Sequence, residues 1–347
     1  MKKLLIIGAI AAAACCAVRA DACTRVVYLG AANDVIMVGR TLDWKTPIPT
    51  NIYVYPRGIR KESFDKGKRL TWTSRYGSVI AVSYDGGVTE GMNERGLTMN
   101  GLFCKLSEYT DSATLSHNLP QMSLSMIISY FIDNFVTVDE VDQWLRQNPF
   151  VISAKTFDGG TVPRLHFGLT DLTGETLIME WDAGHLYTYR GRDLKVLTND
   201  PVFPKMQAIE EYWKGIGGTA MLPGTVRSAD RFVRATFFIN NVPDNYDTDL
   251  AWGSLSSIMG TVSVPYGYMI EGDGNVSSTQ WRTIADMSNG KYYMRFADSK
   301  SDFWIDLGRL QLNDGAPILK LDTSDHNAYQ GCANQWLKPT PGFTPMY

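Results

Sequence analysis

One position constrains this chain more than any other: Cys23, which follows directly on Ala20-Asp21-Ala22. Upstream lie Lys2-Lys3 and an apolar run over residues 4–18. Residues 1–22 therefore carry the positive start, short apolar segment and small-x-small end of a secretory signal peptide. Cleavage after Ala22 would leave Cys23 with a free α-amine on the carbon that bears its thiol. Such a residue can activate itself, its amine serving as base for its own sulfur. An α-amine titrates near ~7.7–8.0 and a free thiol near ~8.5, so both are within reach of their reactive forms at neutral pH. Two other readings stand beside this one. Cys23 could be an ordinary buried or disulfide-bonded cysteine, or a lipoprotein cysteine acylated on its amine. The lipid reading wants a Leu-small-small run; Ala20-Asp21-Ala22 fits it poorly, and Ala12-Ala13-Ala14-Cys15 fits no better.

Removing 22 of 347 residues leaves 325, enough for one large domain or two small ones. Hydrophobic residues make up 44% and charged residues 20%, as expected for a soluble globular protein with a sizeable core. The leader holds Lys2, Lys3 and Arg19 against Asp21, so its loss takes the net charge from −3 to −5. Basic residues are scattered, and the short cluster Arg57-Gly58-Ile59-Arg60-Lys61 reads as a solvated loop. A nucleic-acid partner is not expected. Outside the leader the longest apolar stretch, 126–135, is broken by Ser129, Asp133 and Asn134 and falls far short of the ~20 residues of a membrane span.

Cys23, Cys104 and Cys332 remain after cleavage, an odd count that leaves at least one thiol without an intramolecular partner. Whether Cys104 and Cys332 bridge is open, with a reduced, buried Cys104 the simpler reading. His117, His166, His185 and His326 form no HxxxH pair and no Cys-x-x-Cys accompanies them, so neither metal nor other cofactor is expected. His166, in a predicted strand, is the candidate for a papain-like Cys–His pair, although a core histidine is the plainer reading. Glu271-Gly272-Asp273-Gly274-Asn275 lacks full Ca²⁺-loop spacing and reads as a turn.

Thr24-Arg25-Val26-Val27-Tyr28-Leu29 is β-prone, and a turn at 30–34 leads to a second strand over 35–42. A hairpin centred on Ala32 sets Cys23 opposite Thr41, with Arg40 and Asp43 close by. Positions 40 and 43 leave opposite faces of an ideal strand, so both reach one site only if the strand ends or bulges near Leu42. Further strands are expected at 51–55, 70–74, 78–84, 97–103, 165–171, 177–182, 186–189, 194–198, 292–297 and 302–307. Helices are expected over 124–135, 203–213 and 231–239, the last with Ser228 as N-cap. Another opens on the capping box Thr137-Val138-Asp139-Glu140, runs to Leu145 and ends at Asn148-Pro149. This order lacks regular βα alternation and suits antiparallel sheets covered by helices, in one domain over 23–347.

Five motifs occur in order: Cys23-Thr24-Arg25; Gly39-Arg40-Thr41-Leu42-Asp43-Trp44; Glu90-Gly91-Met92-Asn93-Glu94-Arg95-Gly96-Leu97; Leu197-Thr198-Asn199-Asp200-Pro201; and Asp230-Arg231-Phe232-Val233-Arg234. Together they resemble the choloylglycine hydrolase family, which contains bile salt hydrolases and penicillin V acylases. The likeness runs through nearly all of 23–347. Segment 51–58 and the Trp281-Arg282 pair are more similar to its exported Gram-negative branch, which implies a periplasmic protein. The resemblance implies an α+β fold, the αββα sandwich of N-terminal-nucleophile hydrolases. It also implies Cys23 as nucleophile, Arg40 beside the thiol, and Asp43 orienting the amine. Asn199 would be an oxyanion-hole donor and Arg231 the anchor of the network. Relatives are often tetramers, so a homo-oligomer is possible. One position departs: where bile salt hydrolases carry an asparagine, this chain has Phe103, so a second oxyanion donor must come from the backbone or elsewhere.

Each residue also has a plainer reading. Arg40 and Asp43 could be a surface ion pair, Asn199 a turn residue, and Arg231 and Arg234 a solvated helix face; their joint occurrence in order outweighs these. Trp44, Trp72, Tyr84 and Phe103 suit an apolar acyl pocket or an ordinary core. The expected activity is hydrolysis of a linear amide between an apolar acyl group and a polar amine. Conjugated bile salts are slightly preferred, with penicillin V and N-acyl homoserine lactones as alternatives. A different class is a catalytically silent envelope protein that binds bile or fatty acids.

Overall fold

The computed structural model describes residues 23–31, 34–109, 118–157, 160–270, 274–275 and 277–347. The expected leader 1–22, His117 and the Glu271-Gly272-Asp273 part of the expected turn lie outside them.

The chain opens as a hairpin. Strand β1 (Thr24–Leu29) and strand β2 (Ile36–Trp44) pair antiparallel, Leu29 facing Ile36 and Thr24 facing Thr41. The expected register is one residue off: Thr41 faces Thr24 rather than Cys23. A one-residue slip exchanges the faces of a strand, and here it decides the site. Extending the observed register sets Cys23 against Leu42, on the face of Arg25 and Arg40.

Seven strands form the first sheet, in the spatial order Val196–Thr198, β1, β2, Ser278–Asp286, Lys291–Phe296, Phe303–Asp306, Gly331–Cys332. All its pairs are antiparallel except the last, short one. The second sheet is antiparallel with nine strands: His185–Gly191, Thr176–Asp182, Leu165–Thr170, Thr98–Phe103, Gly87–Asn93, Ser78–Ser83, Thr50–Tyr55, Leu319–Leu321, Lys338–Pro339.

Alternating side chains then fill three separate cores. Between the sheets, Val27, Ile36, Val38 and Leu42 pack near Ile52, Val79, Ala81 and Met92. The other face of the first sheet sends Val26, Tyr28 and Met37 into a core shared with α4 (Ser228–Asn240) and α5 (Thr248–Thr261). The other face of the second sheet sends Ile80, Val82, Met99 and Phe167 towards α1 (Ile127–Asn134) and α2 (Val138–Gln147). Helix α3 (Phe203–Ile216) lies against α4 on the first side. Two sheets face to face with helices outside make the αββα sandwich that the resemblance implies. Among the described residues no helix is long and apolar enough to cross a membrane.

Local signals hold where they have a mechanism. At the start of α2 the Thr137 hydroxyl accepts from the Glu140 N–H, while the Glu140 carboxylate accepts from the Thr137 N–H. Helix α4 begins at Ser228 itself, with Arg227 at the cap position. Residues 121–123, given no element in the sequence reading, pair in parallel with Val151–Ser153, and α1 starts three residues later than expected. Among the elements absent from the sequence reading, Gly87–Asn93, Ser278–Asp286 and α5 are the longest. In Ser278–Asp286 both faces are covered, eight of nine residues being buried, so no apolar/polar alternation marks it as a strand.

Candidate active site

Cys23 sits at the head of β1, 3% exposed, where the two edges of β1 bring its neighbours together. On one edge, Thr24 pairs with Thr198. One residue further, Asn199 meets Cys23: its Oδ1 accepts a hydrogen bond from the Cys23 main-chain nitrogen, and its Nδ2 is buried with no hydrogen-bond partner among the described residues. On the other edge lies β2, which carries Arg40 and Asp43.

Arg40 and Asp43 take opposite faces of the sheet, and still both border Cys23. Arg40 enters the layer between the sheets, where its Nη2 donates to the Gly101 carbonyl at 2.9 Å and approaches the Cys23 Sγ at 3.8 Å. Asp43 turns to the helix side. Its Oδ2 accepts from Thr41 Oγ1 (3.2 Å) and meets Arg231 Nη1 (3.3 Å); its Oδ1 accepts from Thr279 Oγ1 (2.5 Å). Arg231, on α4, also donates to the Thr24 hydroxyl and to the Val226 carbonyl. The expected end or bulge of β2 is not there: β2 runs unbroken to Trp44. The register instead shifts in its neighbour, between Thr279 and Trp281 opposite Asp43 and Leu42.

Charge is concentrated and dry. Cys23, Arg40, Asp43, Asn199 and Arg231 are all nearly or fully buried. Burial pushes the Cys23 thiol up; the Arg40 charge and the main-chain N–H groups of Asp43 and Phe103 pull the other way without cancelling it. Burial likewise raises the Asp43 carboxyl to about 6, against the opposing pull of Arg231 and of its hydroxyl partners. Arg231 is drawn down by burial and held up by Asp43.

Two charged residues with no role in the sequence reading complete this layer. Glu90, on Gly87–Asn93, accepts from Tyr292 Oη (2.5 Å) and Thr283 Oγ1 (2.6 Å). Its Oε2 lies 3.4 Å from Arg40 Nε, a charge contact rather than an aligned hydrogen bond. Arg25, fully buried, donates to Asn100 Oδ1 and Thr170 Oγ1. Glu90 stands in a quoted motif, but nothing in its spacing reveals that it backs Arg40 from the other sheet.

An apolar cleft leads to the thiol. Trp44, Tyr84 and Phe103 line it as expected. Trp44 meets Phe103 edge-on at 5.4 Å between centroids, and Phe157 joins Trp44 (5.7 Å) to Tyr84 (5.8 Å). Trp72 does not belong here: it donates to Asp133 Oδ2 at 2.7 Å in the core under α1. Phe157, Leu124 and Met346 were absent from the sequence reading, being far apart in the chain and ordinary in type. Cys23, Cys104 and Cys332 are all free. His166 is a core histidine whose Nδ1 pairs with Glu180 Oε1 at 2.8 Å.

Comparison with known proteins agrees with this geometry. Residues 23–327 match the family of linear amide C–N hydrolases, choloylglycine hydrolase family. A penicillin V acylase of Pectobacterium atrosepticum is 36% identical over 346 residues, covering 93% of this chain and 91% of that protein. A bile salt hydrolase/transferase of Bifidobacterium longum is 24% identical over 286 residues, covering 75% and 87%. Among solved structures, penicillin V acylase from Agrobacterium tumefaciens superposes with a TM-score of 0.85 at 40% identity, covering 93% of this chain and 99% of that one. A variant of the conjugated bile acid hydrolase from Clostridium perfringens shares the fold, with a TM-score of 0.72 at 20% identity and coverage of 86% and 96%. The chain is an amide hydrolase and belongs to the choloylglycine hydrolase family.

Proposed function

We propose that this enzyme removes an apolar acyl group from a polar amine by covalent catalysis at Cys23, with penicillin V, a phenoxyacetyl amide, as its leading substrate class. The observation that carries the reading is the position of Cys23: thiol at the floor of an aromatic cleft, main-chain nitrogen held by Asn199. In this proposal export to the periplasm removes residues 1–22, and that nitrogen becomes the free α-amine.

Each neighbour then has a task. The surroundings leave the thiol protonated, its pKa being raised, so a base is needed, and the α-amine on the same carbon supplies it. Asp43, with Arg231 and Thr279 behind it, orients the amine. Arg40 steadies the thiolate that results. As sulfur attacks the amide carbonyl, negative charge gathers on oxygen where Asn199 Nδ2 and the Phe103 N–H can donate, the backbone supplying what the Phe103 side chain cannot. The protonated amine passes its proton to the leaving amine, and water hydrolyses the thioester.

The sequence alone leaned towards conjugated bile salts. Identities of 36% and 40% to penicillin V acylases, against 24% to a bile salt hydrolase/transferase, favour the phenoxyacetyl class. Measuring kcat/KM for penicillin V, glycocholate and taurocholate tests this. Penicillin V is expected to lead; a lead for either bile salt reverses the order, and no turnover of any removes the proposed substrate class.

A further inference from the structure

The end of the chain reaches the active-site cleft. Phe343 packs on Tyr53 (5.8 Å) and Tyr55 (6.1 Å), Tyr347 packs on Phe64 (6.0 Å), and Met346 lies between these anchors. The Met346 N–H donates to the Gly86 carbonyl at 3.0 Å, and its own carbonyl accepts from Ser123 Oγ at 3.0 Å. Its backbone is thus tied to both the 84–87 turn and the strand before α1. Its side chain lines the cleft that ends at Cys23, together with Tyr84, Gly87, Val88, Leu124 and Phe157.

Gly86 makes room for it. A Cβ on Gly86 would lie 2.6 Å from Met346 Cγ, and one on Gly87 would lie 3.4 Å from Met346 Cε. The turn and the thioether therefore fit each other closely, with the methyl end of the side chain at the cleft wall. Methionine is unbranched and polarizable, suited to closing an irregular apolar space.

We propose that Met346 is a specificity-determining residue that sets the depth of the acyl pocket. This deepens the function proposed above and rests on reading the cleft as the acyl site. Shortening the side chain enlarges the pocket for bulky acyl groups, and widening it excludes them. A change of one methylene in such a pocket is worth about 10–200-fold in discrimination.

The test reads pocket shape without turnover. Wild type, Met346→Ala and Met346→Trp are labelled at Cys23 with methyl and phenethyl methanethiosulfonate, and peptide mapping separates Cys23 from Cys104 and Cys332. The methyl reagent corrects for thiol reactivity. The phenethyl-to-methyl rate ratio should rise about tenfold in Met346→Ala and fall by a similar factor in Met346→Trp. Ratios within about twofold of wild type in both variants would overturn the proposal. An enzyme inactive on every amide but with shifted ratios would unseat the proposed function alone; unchanged ratios in an active enzyme would unseat this inference alone.

Discussion

Arg40 and Asp43 leave the same strand on opposite faces of one sheet, yet both stand beside Cys23. The sheet itself is the partition. Between the sheets, Arg40 addresses the sulfur; among the helices, Asp43 is held by Arg231 and Thr279. Cys23, at the head of β1, is reached from both.

Asp43 should give the enzyme its acid limb. In the proposed mechanism Asp43 orients the amine; its pKa is raised to about 6, chiefly by burial, so that role is lost to protonation as pH falls through 6. The sign for stability is the reverse of the usual carboxylate. The shift is upward, so this group's favourable contribution is complete below about pH 4 and is withdrawn as pH rises through 6. Thr279→Val removes a hydrogen bond that lowers the pKa, and the acid limb of kcat/KM should move to higher pH. A limb that stays in place would detach Asp43 from the pH profile.

Asn199→Ala should lower kcat by about 10²–10³ while thermal unfolding changes little. Asn199→Asp keeps the acceptor for the Cys23 nitrogen and removes the donor. A loss as large as that in Asn199→Ala assigns the effect to Nδ2; near-normal turnover would assign it to the bond to nitrogen.

Glu90→Gln should cost about 3–5 kcal/mol of stability, because Arg40 would remain buried without its charge partner. Gln retains an acceptor for Tyr292 and Thr283, so the loss isolates the charge. Urea denaturation of both proteins measures it, and a midpoint equal to wild type would show that Glu90 does not stabilise Arg40.

A form of the protein that keeps one residue ahead of Cys23 should fold with the same melting temperature and turn over no substrate. Its nitrogen is then an amide and cannot take the sulfur's proton. Intact-mass measurement identifies the form, and hydrolysis by it would mean that another base serves Cys23.

Much of this was legible because local chemistry was distinctive. The capping box, the first hairpin and the five ordered motifs could be read directly, and they contained Cys23, Arg40, Asp43, Asn199 and Arg231. What stayed hidden depended on contacts across the sandwich. Ser278–Asp286 mixes Ser, Thr, Gln and Arg with apolar residues, and its place between β2 and Lys291–Phe296 buries both kinds alike. Glu90 reaches Arg40 from the opposite sheet, and Met346 reaches the cleft from the far end of the chain. The hairpin register is off by one residue because Gly30-Ala31-Ala32-Asn33-Asp34 offers no single turn centre in the sequence, and that one residue decides which layer Cys23 faces.

Thr24, the residue after Cys23, is paired on both sides, to Thr41 and to Thr198, and its hydroxyl is bonded to α4. A thiol at the head of such a strand has no local fold to rely on: three segments spread over some two hundred residues must close before it is buried. The site therefore exists only in the closed sandwich, and the β1–β2 hairpin alone cannot hold the thiol beside Asn199 and Arg231.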